Sequence, residues 1–490
     1  MGKISYYSTN NKNLSVSFQE ALLEGLAPDY GLYMIARENI PQLSKNKILA
    51  MQNQPYAKIA FEVLNPYLGE EIGEKDLREL LNDAYSEEKI PTKIQKVNET
   101  TFIMWLTSGP TYSFKDYAAR FFGRTLNYFL GKKGLKRTVV VATSGDTGGA
   151  VADALHGLDN IDNIVFYPKG LVSNGQRKQM TTLGKNIYAF EVSGDFDVCQ
   201  ALAKNILSDK EFAEKVFHDK ERFTSANSIS VGRLLPQSVY PFFAYSRIAK
   251  NFEEIIASIP SGNFGDMMGT VVAKQMGLPI KKIVCGVNEN TEFPIFLKTG
   301  KYEVLPSIRS PSSAMIVSHP SNLARLIDFY NGHMCDERDN KTGKVTKQGT
   351  IDKMPDIEEM RKDIFSVSIN NEQHYSTIKE VYEKYKIILD PHGSVGWKSL
   401  EIFREKEGKE TSSHLTAIIY ETADPGKFPE DVKKAIGVVP EAPQGMKKQE
   451  ALTERIYTIN AQPDKTEKGL KLSEEQIGEA KKKILEIFLK

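Results

Sequence analysis

The chain has 490 residues, 40% of them hydrophobic and 26% charged, which exceeds one hydrophobic core and calls for two or three domains. Its 64 Lys and Arg against 63 Asp and Glu leave a formal net charge of +1, no electrostatic footprint for nucleic acid or an anionic membrane. No run of 18 apolar residues occurs, so no membrane span is expected.

Three widely spaced cysteines, Cys199, Cys285 and Cys335, form no CxxC pair, and a reducing compartment is expected. The opening MGKISYYSTNNKN lacks an apolar core, and with it the reading is a cytoplasmic protein. The seven histidines show no ligand spacing, and no metal site is expected.

Residues 17–95 read as a polar-faced helical unit. VSFQEALLEGL and EKDLRELLNDAYS both set apolar residues three and four apart. From about residue 97 strands alternate with helices. In RTVVVATSGDTGGAVADALHG the β-branched run Thr138–Val141 enters a glycine loop and then an Ala-rich helix. In EEIIASIPSGNFGDMMGTVVAKQMGLP the strand Ile255–Ile259, the loop Ser261–Gly265 and the helix Met267–Met276 repeat that order. The runs NIVFYP, KKIVCGV, YKIILD and LTAIIYETA continue the alternation, which argues for α/β architecture with a largely parallel sheet. Residues 333–363 read as a charged surface insertion, and SEEQIGEAKKKILEIFLK as a final amphipathic helix.

A strand that turns through glycines into a helix aims several backbone N–H groups, and the positive end of the helix, at one spot. SGDTGGA and SGNFGDMMG are neither GxGxxG fingerprints nor P-loops. They are either two sites for a phosphate or a carboxylate, or tight turns that close α/β units. Asp266 in the second loop would repel a phosphate, so its side chain is expected to turn away.

Lys115 lies in GPTYSFKDYAARFFG, after a Gly-Pro turn and at the start of an amphipathic run. It is either a solvated surface amine or a covalent catalyst. An amine on a rigid turn, with a phosphate cradle and a carboxylate site, is what Schiff-base chemistry with pyridoxal phosphate requires.

SGPTYSFKDYAARFFG resembles the lysine motif of the threonine synthase family. VSFQEALLEGLAPDYGLYM, ATSGDTGGAVA, GDFDVCQALAK, SANSISVGRLLPQ, IPSGNFGDMMGTVVAKQMGLP, SPSSAMIVSHPSNLARL, LDPHGSVGW and YETADPGKFP resemble its further segments in order. They run from about residue 10 to residue 440 and point to the branch with the larger N-terminal domain. The resemblance implies a fold-type II pyridoxal-phosphate enzyme of the tryptophan synthase β-like class. Two open α/β domains would flank the cofactor beside an N-terminal mainly helical domain, residues 1–96. Residues 97–135 and 225–490 would form the large cofactor-binding domain, and 136–224 the small domain with the substrate loop.

The resemblance also implies roles. Lys115 would be the Schiff-base lysine and proton carrier, and Ser261, Gly262, Asn263, Phe264, Gly265 and Asp266 would hold the cofactor phosphate. Thr422 would face the pyridine nitrogen. Ser144, Gly145, Asp146 and Thr147 would hold the substrate α-carboxylate. Asn227, Ser228, Arg233, His392 and Lys427 are the remaining substrate-binding candidates, all but Asn227 as donors to the leaving phosphate. For Arg233 a surface or interdomain ion pair is the competing reading, and for His392 a turn. The implied reaction converts O-phospho-L-homoserine and water to L-threonine and phosphate, in a monomer or homodimer. Alternatives are a serine or threonine dehydratase of the same fold, or a pyridoxal-binding homologue without catalysis. The chain departs from the family pattern at Ser108, Ser230, Ile316, Asp424 and Gly426. Two residues on from Thr422, Asp424 would share its face if both lay on a strand, and if it reached the pyridine nitrogen it would protonate the ring; the favoured reading of these departures is a divergent subgroup with intact activity.

Overall fold

The run IIASIP buries all six of its residues, Ile255–Pro260, as a strand covered on both faces must. In the computed structural model, which describes residues 4–143, 145–339, 345–408, 415–466 and 469–489, it is a central strand of a six-stranded sheet. The order is Ile364–Ser368, Ile280–Val287, Ile255–Pro260, Thr416–Glu421, Thr101–Trp105, Lys93–Lys96. All neighbours are parallel except the last pair, where Lys93–Lys96 runs antiparallel to Thr101–Trp105. The helix Pro391–Glu407 covers one face, packing Trp397, Leu400 and Phe403 against Ile256, Val284 and Ile419. Full burial of each such side chain contributes roughly 1.5–3 kcal/mol.

This sheet belongs to a unit made of the residues up to Leu22, Leu26–Phe114 and Ser228–Ala442. The N-terminal part carries the expected helices, Phe18–Glu24, Tyr56–Ile72 and Glu74–Tyr85 among them. It also holds a three-stranded sheet of Tyr6–Ser8, Asn11–Val16 and Tyr33–Met34 that the helical reading did not anticipate. YKIILD is not a strand. The helix Asn371–Tyr385 ends at a left-handed Lys386, and Ile387 and Leu389 plug the core from an irregular segment. The expected insertion forms a hairpin, His333–Arg338 with Val345–Lys353, followed by the helix Ile357–Asp363.

The second unit comprises Leu23–Gly25, Lys115–Asn227 and the residues from Pro443 onward. Its five parallel strands are ordered Ile456–Ile459, Ile187–Val192, Ile161–Pro168, Arg137–Ala142, Phe223–Ser225. The sequence reading grouped residues 97–135 and 225–490 together; here the C-terminal stretch and the helix Lys115–Lys133 fall with the second sheet. The reason is pairing and packing. Ile456–Ile459 adds to Ile187–Val192, Ala480 and Ile484 of the last helix join the core of Phe190 and Leu202, and Arg177 grips Glu454 in a two-pronged ion pair at 2.9 and 2.8 Å. Among the described residues, no helix is long and apolar enough to cross a membrane.

Candidate active site

Three neighbouring parallel strands of the six-stranded sheet release their C-terminal ends at the same edge, the place where open α/β sheets bind ligands. Ile255–Pro260 runs into the loop Ser261–Phe264, Thr416–Glu421 into Thr422, and Thr101–Trp105 into the turn that leads to Lys115.

The loop feeds the 11-residue helix Gly265–Gln275, whose N-cap Phe264 adopts left-handed φ 60°. Gly262 is required by close approach: a Cβ there would lie 2.9 Å from Met315 Cα and 3.1 Å from Ala314 O. Asp266 is 3% exposed, and its Oδ1 accepts the Met267 N–H at 2.9 Å and the Ser261 hydroxyl at 3.3 Å. Its carboxylate thus serves the first turn of its own helix but also reaches back to Ser261, so it is not turned away from the loop as expected. Asn263 Oδ1 accepts from Ser321 N at 3.2 Å, and Asn322 Nδ2 donates to Asn263 O at 3.0 Å.

The second and third strands are stitched together beyond their ends. Leu106 N donates to Glu421 O at 3.0 Å, Phe114 N to Thr422 O at 2.9 Å and Asp424 N to Tyr112 O at 3.0 Å, with a bridge between Ser113 and Ala423. Tyr240 Oη donates to Phe114 O at 3.2 Å. The peptide before Lys115 is therefore held from both sides, one of them by the backbone of Thr422. Lys115 itself is half-buried and is the first residue of Lys115–Lys133. The Ser113 hydroxyl is fully buried and has no hydrogen-bond partner among the described residues.

The strand itself ends at Glu421, and Asp424 stands beyond the Ser113–Ala423 bridge, at the start of the next turn. Its carboxylate caps the short 3-10 turn Pro425–Lys427, accepting from Gly426 N at 2.8 Å. Burial, then the nearby Asp390, raise its pKa above the ordinary carboxylate range. Thr422 is 5% exposed.

Of the other candidates in this unit, Arg233 is buried, which excludes the surface reading. Lys427 is buried and donates to Thr111 O at 2.8 Å. Ser228 Oγ lies 3.1 Å from Ser321 Oγ. His392 is not a turn residue; it sits in the first turn of Pro391–Glu407. Its Nδ1 faces Asp390 Oδ1 at 2.5 Å, and its Nε2 accepts the Ala314 N–H at 3.1 Å. With both ring nitrogens engaged, His392 holds the turn Ser313–Met315 against Gly262.

The substrate-loop candidates lie in the second unit. Ser144 falls outside the described residues. Gly145 has φ 142°, and Thr143 Oγ1 accepts both the Gly145 and Gly148 N–H groups at 2.9 Å. Asp146 opens the helix Asp146–Leu155 and accepts from Gln176 Nε2 at 3.0 Å; Thr147 follows it, half-buried. Asn227 is exposed, with its N–H on Ser225 Oγ at 3.3 Å.

Several supporting residues escaped the sequence reading. Glu421 is fully buried, accepts the Asp390 N–H at 2.7 Å, and is pushed well above the ordinary carboxylate range by burial and by Asp390. Arg325 is fully buried and donates to Tyr33 O at 3.0 Å, Asn322 Oδ1 at 2.6 Å and Ile229 O at 2.5 Å. It thereby fixes Asn322, which supports Asn263. The segment SNLARL carries both residues, and an arginine at the helical spacing of core positions was the available signal.

Residues 5–85 match the family described as threonine synthase N terminus, 90–419 that of pyridoxal-phosphate dependent enzymes, and 394–468 the threonine synthase C-terminal family. The chain is 34% identical over 448 residues to the threonine synthase of Pseudomonas aeruginosa, covering 89% of this chain and 92% of that one. The chain belongs to the threonine synthase family. The Haemophilus influenzae member is 32% identical over 450 residues, covering 92% of this chain and 95% of its own length. A crystal structure of PLP-bound threonine synthase from Brucella melitensis superposes with a TM-score of 0.86 at 29% identity, covering 99% of this chain and 100% of its own. The N-terminal match falls on the segment that dehydratases of this fold were expected to lack.

The residues present fit the family's cofactor. A helix-opening loop that packs too closely for a side chain at Gly262 suits the phosphate, a lysine on a clamped turn suits the aldehyde, and the orphaned Ser113 hydroxyl is a buried donor close by in sequence.

Proposed function

We propose that this chain converts O-phospho-L-homoserine and water to L-threonine and phosphate, with Lys115 as the catalytic amine. The observation that carries the assignment is the shared sheet edge, where adjacent strands deliver the Ser261–Asp266 loop, Thr422 and the turn before Lys115. When bound, pyridoxal phosphate supplies an electrophilic carbonyl and a ring that delocalises negative charge from the substrate carbon.

The chain's own residues do the rest. Backbone N–H groups of the Ser261–Asp266 loop and of the start of Gly265–Gln275 bind the cofactor phosphate. Thr422 presents a hydroxyl to the pyridine nitrogen. A hydroxyl there would not hold a proton on that nitrogen as a carboxylate would, and proton movement falls to Lys115. Lys115 takes the α-proton and then a β-proton. As phosphate leaves, one proton is delivered to the γ-carbon to make the methyl group, water adds its oxygen at the β-carbon and gives up a proton to the departing phosphate, and the second proton returns to the α-carbon. The amides of Asp146 and Thr147, at the start of Asp146–Leu155, bind the substrate α-carboxylate in the loop that Ser144 and Gly145 complete. Arg233, Lys427 and Ser228 take the leaving phosphate, and Asn227 contributes to substrate binding. His392 acts on Ala314 and so positions the phosphate loop.

Asp424, committed to its cap, leaves the nitrogen to Thr422. The setting is cytoplasmic, the partner is the small-molecule substrate, and the chain acts as a monomer or homodimer. Borohydride treatment of the holoenzyme followed by peptide mapping tests the assignment. The cofactor adduct is expected on the peptide containing Lys115; an adduct on another lysine overturns it.

A further inference from the structure

The hairpin His333–Arg338 with Val345–Lys353 brings together three side chains that lie apart in sequence. His333 and Cys335 are two residues apart on one strand and share a face, and the register His333↔Lys353, Met334↔Ile351 sets Asp352 beside them. One ligand atom from each, an imidazole nitrogen, a thiol sulfur and a carboxylate oxygen, all lie within 4.8 Å of one another. Spacing along the chain hides this set, because Asp352 joins it only through strand pairing.

A second observation concerns the proton on His333. Asn10 Nδ2 donates to Asp29 O at 3.0 Å, which fixes the amide so that Oδ1 faces His333 Nε2 at 3.2 Å. An amide oxygen only accepts, so Nε2 must carry the ring proton. The other nitrogen, Nδ1, then faces Asp352 Oδ1 at 2.6 Å. The imidazole thus turns Nδ1 toward the carboxylate and the thiol, and Nε2 toward Asn10.

We propose that His333 Nδ1, Cys335 Sγ and Asp352 bind a zinc-class divalent cation, with Asn10 orienting the imidazole. Nitrogen, thiolate and carboxylate form a ligand set suited to Zn²⁺, with water completing the tetrahedron. A histidine ligand that donates its other N–H to a neighbouring oxygen is the usual supporting arrangement. Two tetrahedral ligands stand about 3.3 Å apart, so Asp352 must withdraw slightly, which its exposed side chain permits. Burial and then Asp352, Asp336 and Glu337 raise the Cys335 thiol pKa. A bound cation opposes those carboxylates, displaces the thiol proton and takes the thiolate. Because Asn10 belongs to the N-terminal turn between Tyr6–Ser8 and Asn11–Val16, the ion would tie that turn to the hairpin.

The test uses the full-length holoenzyme, stripped with a chelator and titrated with ZnCl₂ by calorimetry and with CoCl₂ by difference absorbance. Expected are one ion per chain, a sulfur-to-cobalt charge-transfer band, and a rise in melting temperature with zinc. Cys335→Ser should abolish the band and weaken zinc by at least about tenfold, and Asn10→Ala should weaken it by about 10- to 100-fold. Both variants should keep the cofactor absorbance of the parent, which shows that they fold. Absence of stoichiometric binding, or equal binding by Cys335→Ser, overturns the proposal and leaves only the His333–Asp352 contact.

Discussion

Gly262→Ala probes how tightly the phosphate loop is fitted to its neighbours. The added Cβ would lie 2.9 Å from Met315 Cα, whereas ordinary contacts begin near 3.4 Å, so loop or turn must yield by 0.5 Å. Met315 is a backbone neighbour, not the end of a flexible side chain. Its turn is anchored by Met315 N on Ser312 O at 3.0 Å and by Ala314 N on His392 Nε2 at 3.1 Å. Overpacking of this kind costs about 1–3 kcal/mol. If the strain falls on the loop, cofactor affinity drops by roughly 5- to 140-fold, at 1.4 kcal/mol per decade. The assay is an absorbance titration of the stripped enzyme with pyridoxal phosphate. Gly478→Ala is the control: nothing lies within 4 Å of its Cβ, it sits inside the helix Glu474–Phe488, and it should stabilise the chain by about 0.5–1 kcal/mol. If Gly262→Ala binds the cofactor within twofold of the parent, the loop is not fitted as described.

Glu421→Gln should flatten the dependence of stability on pH. The folded-state pKa of Glu421 is raised, so its contribution is fully present below the unfolded-state value of about 4.3 and is lost as pH rises toward the folded value. Melting curves should therefore show the variant gaining on the parent between pH 5 and 8; parallel curves would refute a protonated Glu421. Arg325→Lys replaces three divergent donors with a single ammonium and leaves buried carbonyl oxygens unsatisfied, at about 1–3 kcal/mol each. Urea unfolding should shift by at least that amount, and cofactor retention should fall with the loss of the Asn322 support. Asp424→Ala removes a cap worth about 1 kcal/mol, and the absorbance of the bound cofactor should keep the parent's pH profile. A changed profile would place Asp424 at the pyridine nitrogen after all.

The parts of the fold legible in the sequence were those with local causes. IIASIP and RTVVVA are β-branched runs ended by glycine loops, and each is a buried strand entering a helix. YKIILD has the same apolar content but follows a left-handed Lys386 directly after a helix, so its side chains fill the core without joining the sheet. IYTI, too short to stand out, is a strand because Ile187–Val192 offers it an edge more than 260 residues away in sequence. The glycine loops and Lys115 were readable as chemistry. The Asp390–His392–Glu421 network was not, because it forms only when a helix start and a strand end meet. The hairpin set His333, Cys335 and Asp352 was invisible for the same reason.

The most direct test of the account is turnover of O-phospho-L-homoserine by the purified holoenzyme and by Lys115→Ala, with phosphate and threonine measured in the same samples. Equal amounts of the two products are expected from the parent, and no turnover from the variant at matched cofactor content. A parent that releases a keto acid and ammonia, or a variant that keeps its rate, would contradict it.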